Sequence, residues 1–330
     1  MTRILTPLLF RPILVPTVWG GHRLASLRGD GTNTATPIGE SWELSGLPGH
    51  VSEVAGGPFA RQPLDQLIAT YREQLVGHAC WARYGTFFPL LVKFIDTAKD
   101  LSIQVHPNRE AAARLGSREK NEMWYVVGAE PGARLLCGWK HALAPADFRA
   151  RIADKTLVDS ICAHAVRPGD LFYLPAGRIH ALGSGMQVIE IQDASDTTYR
   201  VYDYDRPGLD GRPRELHVGQ AAESLDFTVH DDYQVRYAPV SDTPCPVVEA
   251  PHFSTRLWAL ETKVVLDYTN RDSFVVLVGI AGRCSVEGPD GFRADLKVGD
   301  TLLVPAVADR LTVSASAPGS RFFEVLPKID

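Results

Sequence analysis

The chain has 330 residues, of which 45% are hydrophobic, which is enough to bury a large core. Its formal net charge of -5 argues against a nucleic-acid or membrane surface as the main binding partner. The five cysteines are an odd number without a CxxC pair, so reduced thiols are expected rather than a disulfide framework. The N-terminal apolar run is interrupted by Pro7 and Arg11 and lacks a cleavage site, so a cytoplasmic location is expected.

The N-terminal segments are predicted to contain strands, turns and one long helix. Residues 5–57 are rich in Gly, Pro and Thr, a composition typical of strands joined by turns. Residues 63–84 carry apolar side chains at spacings of three and four, which predicts a helix over this stretch.

The rest of the chain is predicted to be mostly β-structure with two further helices. Asn108 is a predicted N-cap, and Gly116 is the residue at which that helix ends. Another helix is expected from Pro145 to about Cys162. Strands dominate after it, and residues 244–251, which begin and end with Pro, are expected to form a hinge between two domains.

Two polar residues share one face of a predicted strand. Gln104 and His106 are two apart in the run Ser-Ile-Gln-Val-His-Pro, so both side chains leave the strand on the same side and can reach one ion. A strand face exposed to water would also explain this pair. A single histidine is more often a surface or hydrogen-bonded core residue than a ligand, so the interpretation depends on the side chains that join it.

Two further candidate ligands lie on neighbouring predicted strands. Glu122 begins the apolar run Glu-Met-Trp-Tyr, where an unpaired carboxylate would be costly to bury. His180 follows the turn and strand that start at Pro168-Gly-Asp. Two imidazoles, one carboxylate and one amide oxygen suit Zn²⁺, and iron, manganese, cobalt or nickel is possible in the same set. The sequence therefore predicts a metal site formed by Gln104, His106, Glu122 and His180.

The segment around His180 is repeated 130 residues later. Pro168-Gly-Asp-Leu-Phe-Tyr-Leu-Pro corresponds to Val298-Gly-Asp-Thr-Leu-Leu-Val-Pro, which predicts a duplicated barrel. Arg310 stands in the second copy where His180 stands in the first, and Ser273 falls roughly at the position of Glu122. Only the first copy is therefore expected to bind metal.

These motifs resemble the cupin superfamily, and their order resembles one of its families, the type I mannose-6-phosphate isomerases. The matching segments are Trp19-Gly-Gly, Gly39-Glu-Ser-Trp-Glu-Leu-Ser, residues 89–107, Lys120-Asn-Glu-Met-Trp-Tyr and Ser195-Asp-Thr-Thr-Tyr-Arg. The second half of the chain is similar mainly through the cupin repeat. The length is similar to that of the short bacterial form of the family.

The resemblance implies a mainly β fold of two cupin (jelly-roll) barrels, with a few helices inserted in and around the first. Residues 1–243 would form the N-terminal catalytic cupin domain with these helical insertions, and residues 244–330 a degenerate barrel without a metal site. The implied activity is that of a metal-dependent aldose–ketose isomerase, which interconverts mannose 6-phosphate and fructose 6-phosphate through an enediol.

This reaction removes a weakly acidic proton while negative charge grows on oxygen. Zn²⁺ held by two neutral histidines, one glutamate and one neutral glutamine keeps a net charge of about +1, which suits this charge. Lys120 is two residues before Glu122, so it would lie near the metal and is a candidate for proton transfer. A surface lysine in a charged turn is the alternative.

Arg200 is the candidate cationic partner of the enediolate, because it lies in a strand-like run and cannot serve as an ordinary base. A structural ion pair with Asp196, Asp203 or Asp205 is the alternative. The family's Asp-x-x-x-Arg element favours the catalytic role, in which Asp196 would orient Arg200 or act as a carboxylate base.

Sugar and phosphate binding have weaker signals. Lys93 lies in an apolar strand with little reason to bury a cation, and Ser102 faces the same side as Gln104, so both are candidates for phosphate binding. Trp42 and Glu40 share one face of their strand and are candidates for lining the sugar cleft, with core packing as the alternative for Trp42.

Two other functions fit the same sequence. A cupin metal site could support oxygen chemistry or act on another sugar, and a strict requirement for iron and dioxygen would indicate this. A non-catalytic sugar-binding cupin would retain its function without Lys120 and Arg200. The expected partner is a phosphorylated hexose, with no nucleic acid and no membrane, and the chain is expected to be a monomer or a small homo-oligomer.

Overall fold

The computed structural model describes residues 5–28 and 36–329, and the mainly β class predicted from the sequence is confirmed there. Two compact units can be distinguished. The central unit comprises Leu14–Ser41 and Phe94–Val235, and the terminal unit comprises Met1–Ile13, Trp42–Lys93 and Arg236–Asp330. This division differs from the consecutive domains 1–243 and 244–330, because two N-terminal segments belong to the same unit as the C-terminal barrel.

Most strands are short, and they pair in antiparallel fashion, mainly with strands that are not next to them along the chain. In chain order they are β1 Leu8–Leu9, β2 Ile13–Gly21, β3 Ile38–Leu47, β4 His50–Val51, β5 Leu90–Thr97, β6 Ile103–Val105, β7 Glu122–Ala129, β8 Arg134–Trp139, β9 Ile161–Ala165, β10 Leu171–Leu174, β11 His180–Leu182, β12 Met186–Asp193, β13 Tyr199–Tyr202, β14 Cys245–Glu249, β15 Phe253–Ala259, β16 Lys263–Asp267, β17 Val275–Ala281, β18 Arg283–Glu287, β19 Arg293–Lys297, β20 Thr301–Val304, β21 Arg310–Ala315 and β22 Arg321–Pro327.

The helices are short as well. They are α1 Arg23–Arg28, α2 Leu64–Tyr71, α3 Glu73–Val76, α4 His78–Tyr84, α5 Arg109–Leu115, α6 Pro145–Ala153 and α7 Val218–Ser224, with 3₁₀ turns at Gly57–Phe59, Leu157–Ser160 and Pro289–Gly291. Within the described ranges, no helix is long and apolar enough to cross a membrane.

In the central unit, two sheets enclose an apolar core. One contains β10, β7, β12, β5 and β2 in this order, and the other contains β13, β6, β11, β8 and β9. Side chains from both sheets fill the space between them, including Trp124, Phe172, Leu182 and Val188. Because successive side chains of a strand leave opposite faces, every second residue reaches this core. Each fully buried aliphatic or aromatic side chain of this size contributes roughly 1.5–3 kcal/mol.

The terminal unit contains a second barrel of the same kind. Its sheets have the strand orders β1-β20-β17-β22-β15-β14 and β16-β21-β18-β19. The core between them includes Trp258, Leu277, Val304 and Leu311. Both barrels therefore have the jelly-roll arrangement expected for a cupin.

The repeated segment has equivalent strand pairing in the two barrels. Leu174 of β10 pairs with Glu122 of β7, and Val304 of β20 pairs with Val275 of β17. Leu174 and Val304 differ by the same 130 residues as the sequence repeat. The pairing therefore supports the duplication, and it assigns Val275 rather than Ser273 to the position of Glu122.

The single helix predicted over residues 63–84 is wrong, because the segment forms α2, α3 and α4. Arg72 and Gly77 separate these helices and have φ angles of 45° and 88°. At Gly77 a Cβ atom would lie 2.3 Å from the carbonyl oxygen of Asp272, so this close approach requires glycine. The apolar spacing of three and four is real, but backbone conformation interrupts the helix twice.

Other local predictions have mixed outcomes. The cap of α5 is confirmed, because the Asn108 side chain accepts a hydrogen bond from the Ala111 nitrogen and Gly116 is left-handed. The helix expected from Pro145 to about Cys162 ends at Ala153, since the chain enters β9 at Ile161. The expected hinge at residues 244–251 is instead β14, which pairs with β15.

The cysteines form no disulfide. All five thiols are free, as expected from their number and spacing. Burial raises the pKa of Cys80 and of Cys137 to about 12, so neither is a reactive thiolate at neutral pH.

Candidate active site

Three side chains of the central unit converge inside its barrel. His106 follows β6, Glu122 begins β7 and His180 begins β11, and one ligand atom from each lies within 4.8 Å of the others. All three residues are at most 1% exposed. In the described part of the chain, no other group of three or more His, Cys, Asp or Glu side chains could hold a metal ion in this way. The sequence-predicted cluster is therefore assembled by three strands.

Main-chain carbonyl groups orient both imidazoles. His106 Nδ1 donates to the Thr197 carbonyl oxygen at 2.8 Å, and His180 Nδ1 donates to the Arg178 carbonyl oxygen at 2.8 Å. Since a carbonyl only accepts, Nδ1 carries the proton in each neutral ring and Nε2 keeps its lone pair. The two Nε2 atoms lie 3.2 Å from different oxygens of Glu122.

Burial sets the protonation state of the cluster. Burial and the neighbouring Lys120 ammonium lower the pKa of His106 to about 4, and burial lowers the pKa of His180. Burial alone would raise the pKa of the Glu122 carboxyl, but the Lys120 ammonium and the imidazoles hold it well below its usual value. At neutral pH, the contacts between the histidines and Glu122 are therefore not ion pairs, because the imidazoles are uncharged.

The cluster is suited to a cation. His106 Nε2 and Glu122 Oε1 are buried and have no hydrogen-bond partner within residues 5–28 and 36–329. Acceptor atoms that face each other at 3.2 Å without a proton repel, and a cation among them removes this repulsion. Two neutral imidazoles with fixed Nδ1 protons and one carboxylate are a typical donor set for a divalent transition-metal ion.

Gln104, the fourth predicted ligand, lies beside His180. The two residues are paired across β6 and β11, and Gln104 Nε2 is 3.3 Å from His180 Nε2. An amide ligates metal through its oxygen. The two ends of an amide have nearly the same shape, so a half-turn of the Gln104 amide presents Oε1 to the same place.

Lys120 lies directly beside the cluster. Its Nζ atom is 2.8 Å from Glu122 Oε2, and the residue is only 3% exposed. The alternative of a plain surface lysine is therefore wrong. Lys120 and Glu122 lie on the same side of the chain at the start of β7, as their spacing of two residues predicts.

Arg200 is half-buried and faces Gln104 across the pairing of β13 with β6. Its Nε donates to Ser102 Oγ at 3.2 Å, and its Nη1 donates to the Glu215 carbonyl oxygen at 2.9 Å. Burial and the nearby Arg214 guanidinium lower the pKa of Arg200. Ser102, a candidate substrate-binding residue, is therefore adjacent to Arg200, and it is only 3% exposed.

The ion pairs that were the alternative to a catalytic role for Arg200 do not form in the described residues. Asp203 is bound instead by Arg214 and Arg206, and Asp205 is bound by Lys155. Asp196 is exposed and makes no hydrogen bond to Arg200. The structural ion pair considered as an alternative is therefore absent, and Asp196 does not orient the guanidinium by direct contact.

The remaining predicted substrate-binding residues have different surroundings. Lys93 and Trp42 belong to the terminal unit, where the Lys93 Nζ lies 5.1 Å from the centre of a Trp42 ring. Both are buried, with 7% exposure each, and Trp42 also contacts the His50 ring. Glu40 is half-buried and belongs to the central unit. Core packing, the alternative for Trp42, agrees with its burial.

One supporting pair was not anticipated from the sequence. Asn121 lies between Lys120 and Glu122, and both its main-chain N and its Nδ2 donate to Asp193 Oδ2 at 2.8 Å. Asn121 Oδ1 accepts from the Ala176 nitrogen at 3.1 Å. The pair fixes the backbone that presents Lys120 and Glu122. Asn121 lies in the charged stretch Ser117-Arg-Glu-Lys-Asn, where a polar residue is no signal, and its partner lies 72 residues further along the chain.

The terminal barrel lacks such a cluster among its described residues. By sequence offset Arg310 corresponds to His180, but its side chain is 64% exposed and contacts Asp267 at 2.7 Å. The inward positions of β21 are occupied by Leu311 and Val313. The equivalence of Arg310 and His180 therefore holds for chain position and not for the direction of the side chain.

The chain is similar to known proteins over most of its length. Residues 12–127 match the family model of the phosphomannose isomerase type I catalytic domain. A mannose-6-phosphate isomerase of Streptococcus mutans is 34% identical over 301 residues, which cover 91% of this chain and 92% of that protein. The mannose-6-phosphate isomerase ManA of Bacillus subtilis is 31% identical, with coverage of 91% and 93%.

Solved structures agree with these relatives. The mannose 6-phosphate isomerase crystal structure from Bacillus subtilis has a TM-score of 0.85 and 29% identity, covering 98% of this chain and all of that one. A putative mannosephosphate isomerase from Archaeoglobus fulgidus shares the fold, with a TM-score of 0.78 at 22% identity and full coverage of both chains. With this similarity along nearly the whole chain, the protein belongs to the type I mannose-6-phosphate isomerase family.

Proposed function

We propose that this protein interconverts mannose 6-phosphate and fructose 6-phosphate in a metal-dependent reaction through an enediol. The observation that carries the proposal is the buried cluster of His106, Glu122 and His180 with the Lys120 amine 2.8 Å from the Glu122 carboxylate. Such a site combines a place for a Lewis acid with a group that can carry a proton. Membership of the family supports the same reaction class.

Zn²⁺ is the proposed metal, with His106, Glu122, His180 and the oxygen of Gln104 as its ligands. Other divalent transition metals fit the same donors. When bound, the ion supplies positive charge that stabilises an oxyanion and orients hydroxyl groups of the open-chain sugar. With two neutral imidazoles, one carboxylate and a neutral amide, the assembled site carries a net charge of about +1. This gives the amide of Gln104 a physical role, because another carboxylate would cancel that charge.

Lys120 is the proposed proton carrier. As the neutral amine, Lys120 takes the proton from C2 of the aldose, and the C–H electron pair forms the C1–C2 double bond of the enediol while the C1 carbonyl oxygen takes up a proton. The C2 hydroxyl then loses its proton as C2 becomes the ketose carbonyl, and C1 takes up the proton that Lys120 carries. The Lys120 amine is held inside the barrel by Glu122, so it is shielded from bulk water. That shielding favours transfer of the same proton between C2 and C1.

Arg200 is proposed to bind the negative oxygen of the enediolate. A guanidinium remains protonated in proteins and acts as a donor rather than a base. Arg200 has no carboxylate partner among the described residues, so its charge is available to substrate. Asp196, which is exposed, is a proposed carboxylate base.

Substrate binding is proposed to use four further residues. Ser102 is next to Arg200, and positive charge from Arg206 and Arg214 reaches the same region, which favours a phosphate dianion. Lys93 is a second candidate for the phosphate, and Trp42 and Glu40 are candidates for the sugar. We further propose a catalytic N-terminal domain 1–243 and a metal-free barrel 244–330, a monomer or small homo-oligomer, and a cytoplasmic location.

A coupled assay tests the proposed function. Turnover of mannose 6-phosphate and of fructose 6-phosphate is measured before chelation, after prolonged chelation and after Zn²⁺ is restored. We expect activity to be lost with the metal and to return with Zn²⁺ or a similar divalent ion, because the proposed ion supplies the positive charge that stabilises the enediolate. Full activity in protein shown to be metal-free would exclude the mechanism, and activity only with iron and dioxygen would indicate oxygen chemistry instead.

A further inference from the structure

Gln192 is a buried polar residue beside the cluster of His106, Glu122 and His180, and it has no role in the proposed reaction. It lies on β12 opposite Glu122 of β7, and its exposure is 0%. Paired residues of antiparallel strands have Cβ atoms about 4.5–5.5 Å apart on one face of the sheet. Met186 and Val188 precede Gln192 by an even number of residues on the same strand, and their side chains line the barrel core. The Gln192 side chain therefore enters the barrel interior next to Glu122.

The amide of Gln192 has only one possible orientation. Its Nε2 donates to the carbonyl oxygen of Asp193 at 2.8 Å and to that of Ser195 at 2.6 Å. If the amide were turned over, Oε1 would face two carbonyl oxygens and three acceptors would meet without a proton. Oε1 is therefore the end that stays directed away from the loop at residues 193–195.

This oxygen has no hydrogen-bond partner among the residues that the structure describes. Gln192 Oε1 is buried and accepts no hydrogen bond from any described residue. A buried acceptor without a donor is destabilising, so a polar residue at this position is not explained by packing. The unsatisfied oxygen lies in the same barrel interior as His106 Nε2 and Glu122 Oε1, which are also without hydrogen-bond partners.

The terminal barrel provides an internal comparison for this position. There Leu277 of β17 pairs with Glu324 of β22, and Val276 pairs with Val325. The same register places Leu326 opposite Val275, so Leu326 has the position that Gln192 has opposite Glu122. Leu326 is 2% exposed and belongs to the apolar core of that barrel. The terminal barrel has no counterpart of the His106, Glu122 and His180 cluster among its described residues, and an apolar residue fills the position equivalent to Gln192. The fold therefore does not require an amide there.

We infer that Gln192 Oε1 accepts a hydrogen bond from a hydroxyl group of the open-chain sugar phosphate. This rests on the proposed function and adds a substrate-binding residue to it. The acceptor is rigid, because Nε2 is tied to the loop that continues to Thr197, whose carbonyl also orients His106. Gln192 thus selects a polyhydroxylated chain at the metal site, since a chain without that hydroxyl leaves the acceptor unsatisfied.

Equilibrium binding of sorbitol 6-phosphate tests the inference without turnover. This hexitol has the hydroxyl groups of the substrate chain but no carbonyl, and it is titrated into the metal-loaded protein by calorimetry, with the metal content of each sample measured. For Gln192→Met, we expect unchanged metal content and binding weaker by about tenfold, the loss of one hydrogen bond to a buried acceptor. Gln187→Met, on the same strand but partly exposed, is the matched control and should bind as the wild type does. Equal affinity of Gln192→Met and wild type would overturn the inference.

A second measurement remains informative if Gln192→Met fails to fold. Wild-type turnover is compared for mannose 6-phosphate and for analogues that each lack the hydroxyl at C3, C4 or C5. For the wild type, we expect kcat/KM of one analogue to be about tenfold lower than that of mannose 6-phosphate. For Gln192→Met, the same analogue and mannose 6-phosphate should have equal kcat/KM. If no analogue is discriminated by the wild type, Gln192 binds no hydroxyl. Failure of the wild type on mannose 6-phosphate itself would instead contradict the proposed function, while sorbitol 6-phosphate binding would still decide the role of Gln192.

Discussion

The central and terminal barrels share their strand pairing but have different interiors. In the central barrel Glu122 is paired with Leu174, whereas in the terminal barrel the equivalent pair is Val275 with Val304. The inward position at the start of β11 is His180, and on β21 the first inward side chain is Leu311. The central barrel encloses three side chains that are candidate ligands, and the corresponding positions of the terminal barrel are apolar.

The difference indicates that the polar cluster serves function rather than the fold. A jelly-roll core is stable when its inward positions are apolar, as the terminal barrel shows. Buried acceptors such as His106 Nε2 and Glu122 Oε1 reduce the free energy of unfolding unless a cation occupies the space between them. Four predictions test this comparison, beginning with the largest expected effect.

The strongest test compares the two residues related by the sequence repeat. His180→Ala removes a ligand, so we expect loss of most bound metal and of activity together. Arg310→Ala should retain both, with little change in Tm, because Arg310 and Asp267 form an exposed pair. Bound metal per chain, measured by elemental analysis, decides the matter. Equal metal loss in the two variants would mean that the wrong barrel has been assigned to catalysis.

The next test concerns residues assigned to the reaction rather than to the metal. Lys120→Met and Arg200→Ala should lower kcat by about 10²–10⁴-fold, the usual contribution of a proton-transfer group or a charge that stabilises an intermediate. Metal content should change far less. Steady-state kinetics with metal analysis checks both effects, and near-normal turnover in either variant would remove that residue from the mechanism.

The third test places the missing carboxylate in the terminal barrel. Val275→Glu buries a charge in an apolar cluster without the lysine and histidine neighbours that Glu122 has, so we expect the free energy of unfolding to fall by about 3–5 kcal/mol. No metal should be gained. Val265→Glu, at a position that is 55% exposed, is the control and should be nearly neutral. Chemical denaturation measures both variants, and tolerance of Val275→Glu would show that the apolar interior is not what excludes a ligand set.

The smallest expected effect is the response of metal retention to pH. Protons compete with metal for an imidazole as the pH approaches and passes below its pKa, and burial together with Lys120 lowers the pKa of His106 to about 4. Bound metal should therefore stay constant from pH 7 to pH 5 and decrease as the pH approaches 4. Dialysis at each pH followed by elemental analysis gives the profile. A midpoint near 6.5, the value of an unperturbed histidine, would contradict the buried neutral state.

Features that depend on local spacing could be predicted from the sequence. Gln104 and His106 lie two apart on an extended run, so they share a side whatever the rest of the fold does. The cap of α5 also depends on neighbours only, because Asn108 bonds to a nitrogen three residues later. The repeat of Gly and Pro spacing likewise indicated two related barrels, and the family motifs indicated the residues that are proposed as metal ligands.

Features that depend on distant segments were decided by the tertiary structure. The break of the predicted helix at Gly77 follows from the approach of the Asp272 backbone, 195 positions further along the numbering. The Asn121–Asp193 pair and the position of Gln192 beside Glu122 arise from strand register. Arg310 faces outwards although it matches His180 in the repeat, because side-chain direction depends on where each strand joins its sheet. Spacing along the chain sets which residues can share a face, and the packing of the sheets decides which face is inside.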